Sequence, residues 1–156
     1  MNTGLKSVPV WMLAWLTAFC IVLSAFSPAL AGTTYHTRVK VIHATKGKAG
    51  VDPGLEAIAR EIGSEFNYTR FRRISEKAMS LSEGQKGRIT LPGNRDLIIT
   101  PTGSNGSRIQ YHIRINAKGN PVFQTGVRLQ NGSSVTIGGP RLKKGVILIN
   151  IEGRTR

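Results

Sequence analysis

The strict alternation of apolar and polar residues in the second half of the chain constrains the fold more than any other feature. Ile109, Tyr111, Ile113 and Ile115 are each separated by one polar residue. Because successive side chains of a β-strand point to opposite faces, this period of two predicts a strand with one buried face. Residues 35–44 alternate in the same way. Such strands require a second layer that covers their apolar face.

One segment has helical periodicity instead. Asp52 and Pro53 form a helix start, with a capping carboxylate followed by proline at the first helical position. Apolar residues then recur at spacings of three and four, which predicts a helix over about residues 53–67. The residues of this apolar stripe are Leu55, Ile58, Ala59, Ile62 and Phe66.

The rest of the chain consists of short strand-like segments separated by turn residues. The predicted strands are 71–81, 88–91, 97–100, 109–115, 123–129, 135–137 and 146–151. Gly138–Gly145 is predicted to be a glycine-rich basic loop, and Phe123 is predicted to lie in the core. Strands this close together are typical of sandwiches and barrels. We therefore predict a mainly β (α+β) fold, an antiparallel β-sandwich with one amphipathic helix packed on an edge or end.

The first 31 residues have the pattern of a secretory signal peptide. Lys6 precedes an apolar run over residues 8–26, and Ala29-Leu30-Ala31 supplies the small residues of a cleavage site. The predicted organisation is a signal peptide over 1–31 and a single β-rich domain over 32–156, located in the periplasm. The alternative is an uncleaved inner-membrane anchor, since an apolar run near 20 residues also spans a bilayer.

Cysteine usage narrows the possible chemistry of the mature chain. The single cysteine, Cys20, lies in the predicted signal peptide. The mature chain is therefore expected to have neither disulfides nor thiol catalysis, and hydrophobic burial must supply its stability. This composition favours a bacterial periplasmic domain.

One hairpin resembles a known family. The stretch LQNGSSVTIGG over residues 129–139 is similar to the strand, glycine turn, strand and Gly-Gly near the end of bacterial secretin channel domains. The tandem ring-building domains of a secretin have no counterpart in this chain. The mature chain as a whole resembles small uncharacterised exported bacterial β-rich proteins with a helix followed by strands. This resemblance implies no activity, and the glycines are sufficiently explained by tight turns.

No catalytic or metal-binding pattern stands out. His36 and His43 differ by an odd number of positions and are predicted to face opposite sides of one strand. The serines lack a nucleophile motif, and Glu56, Glu61 and Glu65 have the spacing of a solvated helix face. We expect no metal site, no cofactor and no enzymatic activity.

Basic clusters are the main functional feature of the sequence. After Lys6, the chain contains 21 Lys and Arg and eight Asp and Glu, which gives a formal net charge of +13. The candidate polyanion-binding residues are Arg70, Arg72, Arg73, Arg141, Lys143 and Lys144, and Lys46 with Lys48 form a further cluster. A positive potential attracts polyanions, and aromatics next to arginines favour stacking. Such arginines also commonly protect a strand edge.

Two functional hypotheses follow. The first is a non-enzymatic periplasmic envelope protein, an interaction module that binds another envelope protein or assembly, for example through an exposed strand edge. The alternative is binding of a polyanion through the basic clusters. Its expected ligands are anionic lipid, lipopolysaccharide or acidic glycan, with nucleic acid less favoured. An enzyme is the third hypothesis.

Overall fold

The alternating segments form two sheets in this computed structural model, which describes residues 32–155. The elements are β1 (Thr34–Thr45), β2 (Gly50–Val51), α1 (Glu56–Phe66), β3 (Arg70–Ser82), β4 (Gly87–Leu91), β5 (Arg95–Asn105), β6 (Arg108–Ala117), β7 (Asn120–Gln130), β8 (Ser134–Leu142) and β9 (Gly145–Thr155). The five-stranded sheet has the order β2-β3-β1-β9-β8, and the four-stranded sheet has the order β4-β5-β6-β7. All pairs are antiparallel except the short β2–β3 pair. The predicted mainly β sandwich with one helix is confirmed for the described residues.

The main core lies where the two sheets pack together. Val39, Val41 and Ile149 from the five-stranded sheet cluster with Ile99 and Ile113 from the four-stranded sheet, and all five are fully buried. These residues occupy alternate positions along their strands, as the period of two predicts. Burial of β-branched side chains on both inner faces is what joins the sheets.

A second, smaller core lies under α1. Leu55 and Ile58 cluster there with Ile42, Phe71 and Leu148 of the five-stranded sheet. Ile42 and Leu148 alternate with residues of the main core, so this cluster occupies the outer face of the sheet. The prediction of a helix at an edge or end is therefore corrected: α1 covers part of the outer face.

A bulge in β3 brings Phe71 under the helix. Val41 pairs with Ser75, whereas Ile42 pairs with Arg73, so Ile74 is the extra residue. An extra residue reverses the faces to which later side chains point. Phe71 thereby reaches the outer face and is buried.

The helix boundaries predicted from sequence need correction. The helix begins at Glu56 rather than near residue 53, and no side chain caps its start. The Asp52 carboxylate instead accepts a hydrogen bond of 2.9 Å from the backbone N–H of Arg73. Asp52 and Leu55 are joined by a backbone hydrogen bond that closes a turn before the helix. The carboxylate thus anchors β3 instead of capping α1.

Two phenylalanines predicted for the core are exposed. Phe66 is 59% exposed because it is the last residue of α1, and Phe71 fills the space beneath the helix instead. Phe123 is 41% exposed because β7 is an edge strand of its sheet. Edge position matters for burial, and a period of two does not reveal it.

The observed strands are longer than the predicted ones, most clearly β5, β8 and β9. Gly138–Gly145 is largely strand: β8 continues to Leu142, and only Lys143 and Lys144 form the turn. A register shift between Gly138 and Arg141 accommodates the Gly139-Pro140 pair. β5 and β9 also extend beyond the predicted 97–100 and 146–151. Pairing with neighbouring strands supports polar and glycine residues that local propensity disfavours.

The predicted signal peptide over 1–31, like the alternative anchor over 8–26, lies outside the described residues. The helix within residues 32–155 is too short and too polar to cross a membrane.

Candidate polyanion site

Four cationic side chains surround one cavity at the end of the five-stranded sheet. Lys46, Arg141, Lys143 and Lys144 line it together with Tyr68 and the first residues of β9, and its volume is about 450 Å³. We call this cavity the basic pocket. Thr45, the last residue of β1, pairs with Gly145, the first residue of β9. This register places the β8–β9 turn beside the loop that follows β1.

Thr69 holds the loop that carries Lys46. Its hydroxyl accepts a hydrogen bond of 3.1 Å from the N–H of Gly47 and donates one of 2.7 Å to the Gly47 carbonyl. The N–H of Thr69 donates to the carbonyl of Thr45 at 3.1 Å. These bonds fix the lysine loop against the segment that contains Tyr68. Asn67 adopts the left-handed conformation that ends α1 and directs the chain into this segment.

Arg70 and Arg72 extend the positive surface beyond the pocket. Arg70 pairs with Thr45 on the side opposite Gly145, and both arginines are exposed. The guanidinium of Arg70 lies over Gly50, where an added Cβ would be 3.3 Å from Nη1. The structure thus places Arg70 and Arg72 outside the basic pocket, on a strand separated from β9 by β1.

Arg73 differs from its neighbours because it forms an ion pair. Its Nη1 lies 2.6 Å from Glu76 Oε2, and its Nη2 donates to the Pro53 carbonyl at 3.3 Å. The structure thus separates the cluster of three arginines predicted from the sequence into two exposed cations and one paired one.

The acidic residues that form ion pairs lie elsewhere. Within residues 32–155, the ion pairs join Glu76, Glu152 and Asp96 to arginines on the outer face of the five-stranded sheet and on β4. The basic-pocket cations, Arg70 and Arg72 do not take part in any of these pairs. No acidic residue lines the basic pocket, which leaves a local excess of positive charge there.

An apolar cleft opens between the two sheets. Its volume is about 280 Å³, and it lies between the edges of β7 and β8. Its lining consists of Arg95, Ile115, Ala117, Val122, Phe123, Gly138, Gly139 and Pro140. Gly139 of β8 also lines the basic pocket, which lies on the outer face of the sheet where Tyr68 and Val146 pack. No local sequence pattern indicates this cleft, because it arises where two edge strands of different sheets diverge.

A serine and a histidine meet on the outer face of the five-stranded sheet. Ser80 Oγ and His36 Nδ1 are 3.1 Å apart, in an open cavity of about 380 Å³. A Ser–His nucleophile requires a base oriented by a third group. Among the hydrogen bonds of residues 32–155, none joins the other ring nitrogen of His36 to a carboxylate. The pair is explained by register, since His36 lies directly opposite Ser80.

The six candidate residues fall into two groups. Arg141, Lys143 and Lys144 come together in the basic pocket, whereas Arg70 and Arg72 lie on the other side of Thr45 and Arg73 is paired. Lys46 joins the first group through the pairing of β1 with β9. In the sequence Lys46 belongs to a separate cluster, since no local pattern reveals a contact across nearly 100 residues.

No grouping of three His, Cys, Asp or Glu side chains that suits a metal ion occurs in residues 32–155. Comparison with protein-family models, curated proteins and solved structures gives no match to this chain.

Proposed function

We propose that residues 32–156 form a non-enzymatic binding domain of the bacterial cell envelope that recognises a polyanion at the basic pocket. The observation that supports this function is the convergence of Lys46, Arg141, Lys143 and Lys144 on one cavity whose lining contains no acidic residue. The proposed location rests on the export signal in the sequence. No cofactor is needed for this function.

The chemistry of the pocket suits phosphate or carboxylate groups. Arginine binds such groups through two parallel N–H donors, and lysine acts as a compact point charge. Lys143 and Lys144 lie on a tight turn, and the lysine loop is fixed by Thr69. A fixed backbone lowers the entropic cost of collecting several cations around one anion.

Exchange of three charges tests this proposal. The site variant combines Arg141→Gln, Lys143→Asn and Lys144→Gln, in which asparagine suits the left-handed backbone of Lys143 (φ 46°). The matched control combines Lys86→Gln, Arg108→Gln and Arg128→Gln, which removes the same charge at the opposite end of the domain. The probe is a labelled oligothymidylate, a single-stranded polyanion with known salt dependence.

We expect the site variant to bind the probe at least tenfold more weakly than the control variant. The log–log salt slope of the site variant falls by about 2, since each single-strand phosphate contact contributes about 0.7. Fluorescence anisotropy at low and physiological salt measures both quantities. Equal losses in the two variants mean that binding reflects diffuse net charge, and no binding by the wild type at low salt rejects the function.

A second candidate function is strand addition at β7, which is supported by one observation. β7 is an 11-residue edge strand in which Arg128 is the only charged residue. The N–H of Asn131, just after β7, donates to the Ser107 carbonyl. In an antiparallel pair every second residue bonds to the neighbouring strand, so the odd-numbered residues of β7 bond to β6. The N–H of Gln124 therefore points away from the sheet. A partner strand paired there fits the interaction-module hypothesis.

Gln124→Pro separates the two candidates. It removes an outward N–H without removing a bond to β6, and proline is tolerated on edge strands. In a pull-down from the native envelope, strand addition requires a specific partner that is lost with Gln124→Pro and retained with the site variant. The opposite pattern supports the polyanion function.

A further inference from the structure

The exposed edge of β7 adjoins two features of opposite character, the apolar cleft on its inner side and a basic sheet face on its outer side. We propose that the strand that pairs with β7 is an extended segment of another envelope protein in which apolar residues alternate with acidic ones. The apolar residues face the cleft, and the acidic residues face the arginines of the four-stranded sheet. This inference rests on strand addition, the second candidate function, and specifies the chemistry of the partner.

The backbone of β7 requires that the occupant of this edge be a β-strand. The N–H and C=O groups of Gln124, Gly126 and Arg128 point away from β6, because the residues between them bond to it. Another strand matches this row of alternating donors and acceptors, whereas a nucleic acid or a lipid has no such row. Side chains of the added strand point inward where they lie opposite the odd-numbered residues of β7, and outward where they lie opposite the even-numbered ones.

The inner side of this edge accepts apolar side chains. Phe123 is 41% exposed, and Thr125 and Val127, the next two inward residues of β7, are half-buried. Val127 and Val135 of β8 both pack against the main core, so the mouth of the sandwich is apolar but not closed. An added strand places side chains opposite the inward residues of β7, where they cover this mouth and enter the cleft beside Phe123.

The outer side of the same edge carries only positive charge. Arg108 and Arg114 of β6 alternate with its inward residues, as Arg128 does on β7, so all three lie on the outer face of the four-stranded sheet. Neither strand contains an acidic residue. Within residues 32–155 none of the three arginines belongs to an ion pair. Acidic side chains on the outward face of an added strand lie beside Arg128 and complement this charge.

Gly126 leaves room for such an acidic side chain. It lies on the outer face directly opposite His112, and a Cβ added to it would meet nothing within 4 Å beyond its chain neighbours. A cavity of about 370 Å³ lies there, and its lining includes His112 and Arg128. Glycine inside a strand is typical of places where another backbone approaches closely. An acidic side chain opposite Gly126 thus extends over the glycine towards His112 and Arg128.

A second copy of this chain fits the edge poorly. Antiparallel pairing of β7 with itself joins two outer faces that each carry Arg108, Arg114 and Arg128, and neither face has an acid on β6 or β7 to balance them. Like charges on neighbouring strands are destabilising. The charge of the edge therefore favours a different protein as the partner.

Three eight-residue peptides test the chemistry of the partner. TEVEVEVT places valines on one face and glutamates on the other, TKVKVKVT replaces the glutamates by lysines, and TEEVVVET has the composition of the first peptide without its alternation. Amide chemical shifts of β7 during titration give the dissociation constant and the location of binding. We expect TEVEVEVT to bind β7 at least tenfold more tightly than the other two peptides. It should also protect the amides of Gln124, Gly126 and Arg128 from hydrogen exchange.

Arg128→Glu reverses the charge of the edge, with Lys86→Glu in the β3–β4 turn as the matched control. Both side chains are exposed, so both variants should unfold at nearly the wild-type temperature. We expect Arg128→Glu to reduce the preference for TEVEVEVT over TKVKVKVT at least fivefold and Lys86→Glu to preserve it. Arg108→Glu replaces Arg128→Glu if thermal unfolding shows that this variant is not folded.

Each failure has a distinct meaning. Equal affinity of β7 for the glutamate and lysine peptides, or a preference that survives Arg128→Glu, overturns the proposed chemistry and leaves strand addition intact. Equally tight binding of TEEVVVET at β7 also overturns it, since alternation then has no role. If no peptide shifts the β7 amides at millimolar concentration, or if the shifts persist in Gln124→Pro, strand addition itself is rejected. The polyanion function is tested independently by oligothymidylate.

Discussion

The edge strands on the two sides of the sandwich differ in how they are protected. On one side, which we call the guarded side, β3 and β4 end their sheets with only the short β2 against part of β3. On the other, the open side, β7 and β8 are the edge strands. Charged side chains lie along the edges of the guarded side, whereas the edges of the open side carry few charges and border the apolar cleft.

Specific contacts protect the guarded side. Lys77 on β3 donates from Nζ to the carbonyl of Arg88 on β4 at 3.0 Å. Arg88 in turn pairs with Asp96, and Arg73 pairs with Glu76. Charged side chains, lysine above all, are the usual means of preventing edge-to-edge association.

The open side lacks such protection over most of its length. β7 and β8 each carry one charged residue, Arg128 and Arg141, and bulges occur near Val122 and Gly139. Bulges often occur beside binding sites, where they redirect side chains. The contrast teaches that the net charge of the chain is a poor guide to function. The distribution of charged residues over the strand edges is more informative.

The largest expected effect compares a buried side chain on the guarded side with an exposed one on the open side. Ile89 on the guarded side is 5% exposed, whereas Phe123 on the open side is 41% exposed. We expect Ile89→Ala to lower the free energy of unfolding by about 2–5 kcal/mol, because it removes a large core side chain. Phe123→Ala lowers it by less than about 1 kcal/mol. Urea unfolding measures both.

Equal destabilisation by the two alanine substitutions would contradict the proposed difference between the two sides. It would mean that Phe123 has a structural role and that the apolar cleft is closed in solution.

Much of the fold was predictable because it depends on local pattern. Burial at Ile109, Tyr111, Ile113 and Ile115 follows directly from their alternation, and the structure confirms all four. Phe123 belongs to an equally regular pattern, and its predicted burial is wrong. The difference is strand order: β6 is central and β7 is an edge.

The candidate site was predictable only in part for the same reason. Arg141, Lys143 and Lys144 are close in sequence and stay together in the basic pocket. Lys46 joins them through the pairing of β1 with β9. Arg73 forms an ion pair with Glu76 and does not belong to the pocket. Neither the strand pairing nor the ion pair can be recognised from a local sequence pattern.

An intermediate effect concerns the centre of the sandwich, between the two sides. Thr37 on β1 and Tyr111 on β6 are buried, and their hydroxyls are 2.9 Å apart. We expect Tyr111→Phe to lower the free energy of unfolding by about 1 kcal/mol at neutral pH, because it removes this bond between the sheets. Ligand affinity at the open side stays unchanged. A changed affinity would show that the spacing of the sheets controls the cleft.

The same variant gives a pH-dependent result. Burial raises the pKa of Tyr111, and the hydrogen bond with Thr37 opposes this effect in part. Above the ordinary tyrosine pKa of about 10, the unfolded chain loses the proton while the folded domain retains it. The stability that Tyr111 contributes is therefore complete below that pH and is lost as pH rises. We expect the difference between wild type and Tyr111→Phe to shrink from pH 7 to pH 11 in urea unfolding.

The smallest expected effect on stability is the sharpest test of the comparison itself. Lys77→Val removes the charge and the bond to the Arg88 carbonyl from the guarded edge, and it adds a residue that favours strands. Because Lys77 is exposed, we expect the free energy of unfolding to change by less than about 0.5 kcal/mol. The edge nevertheless becomes available for pairing, so the variant should self-associate with rising concentration, as measured by analytical ultracentrifugation. Lys86→Val makes the same change of composition in the β3–β4 turn and should stay monomeric. If Lys77→Val is as monomeric as Lys86→Val, charge is not what guards this side, and the contrast with the open side must rest on bulges and strand length instead.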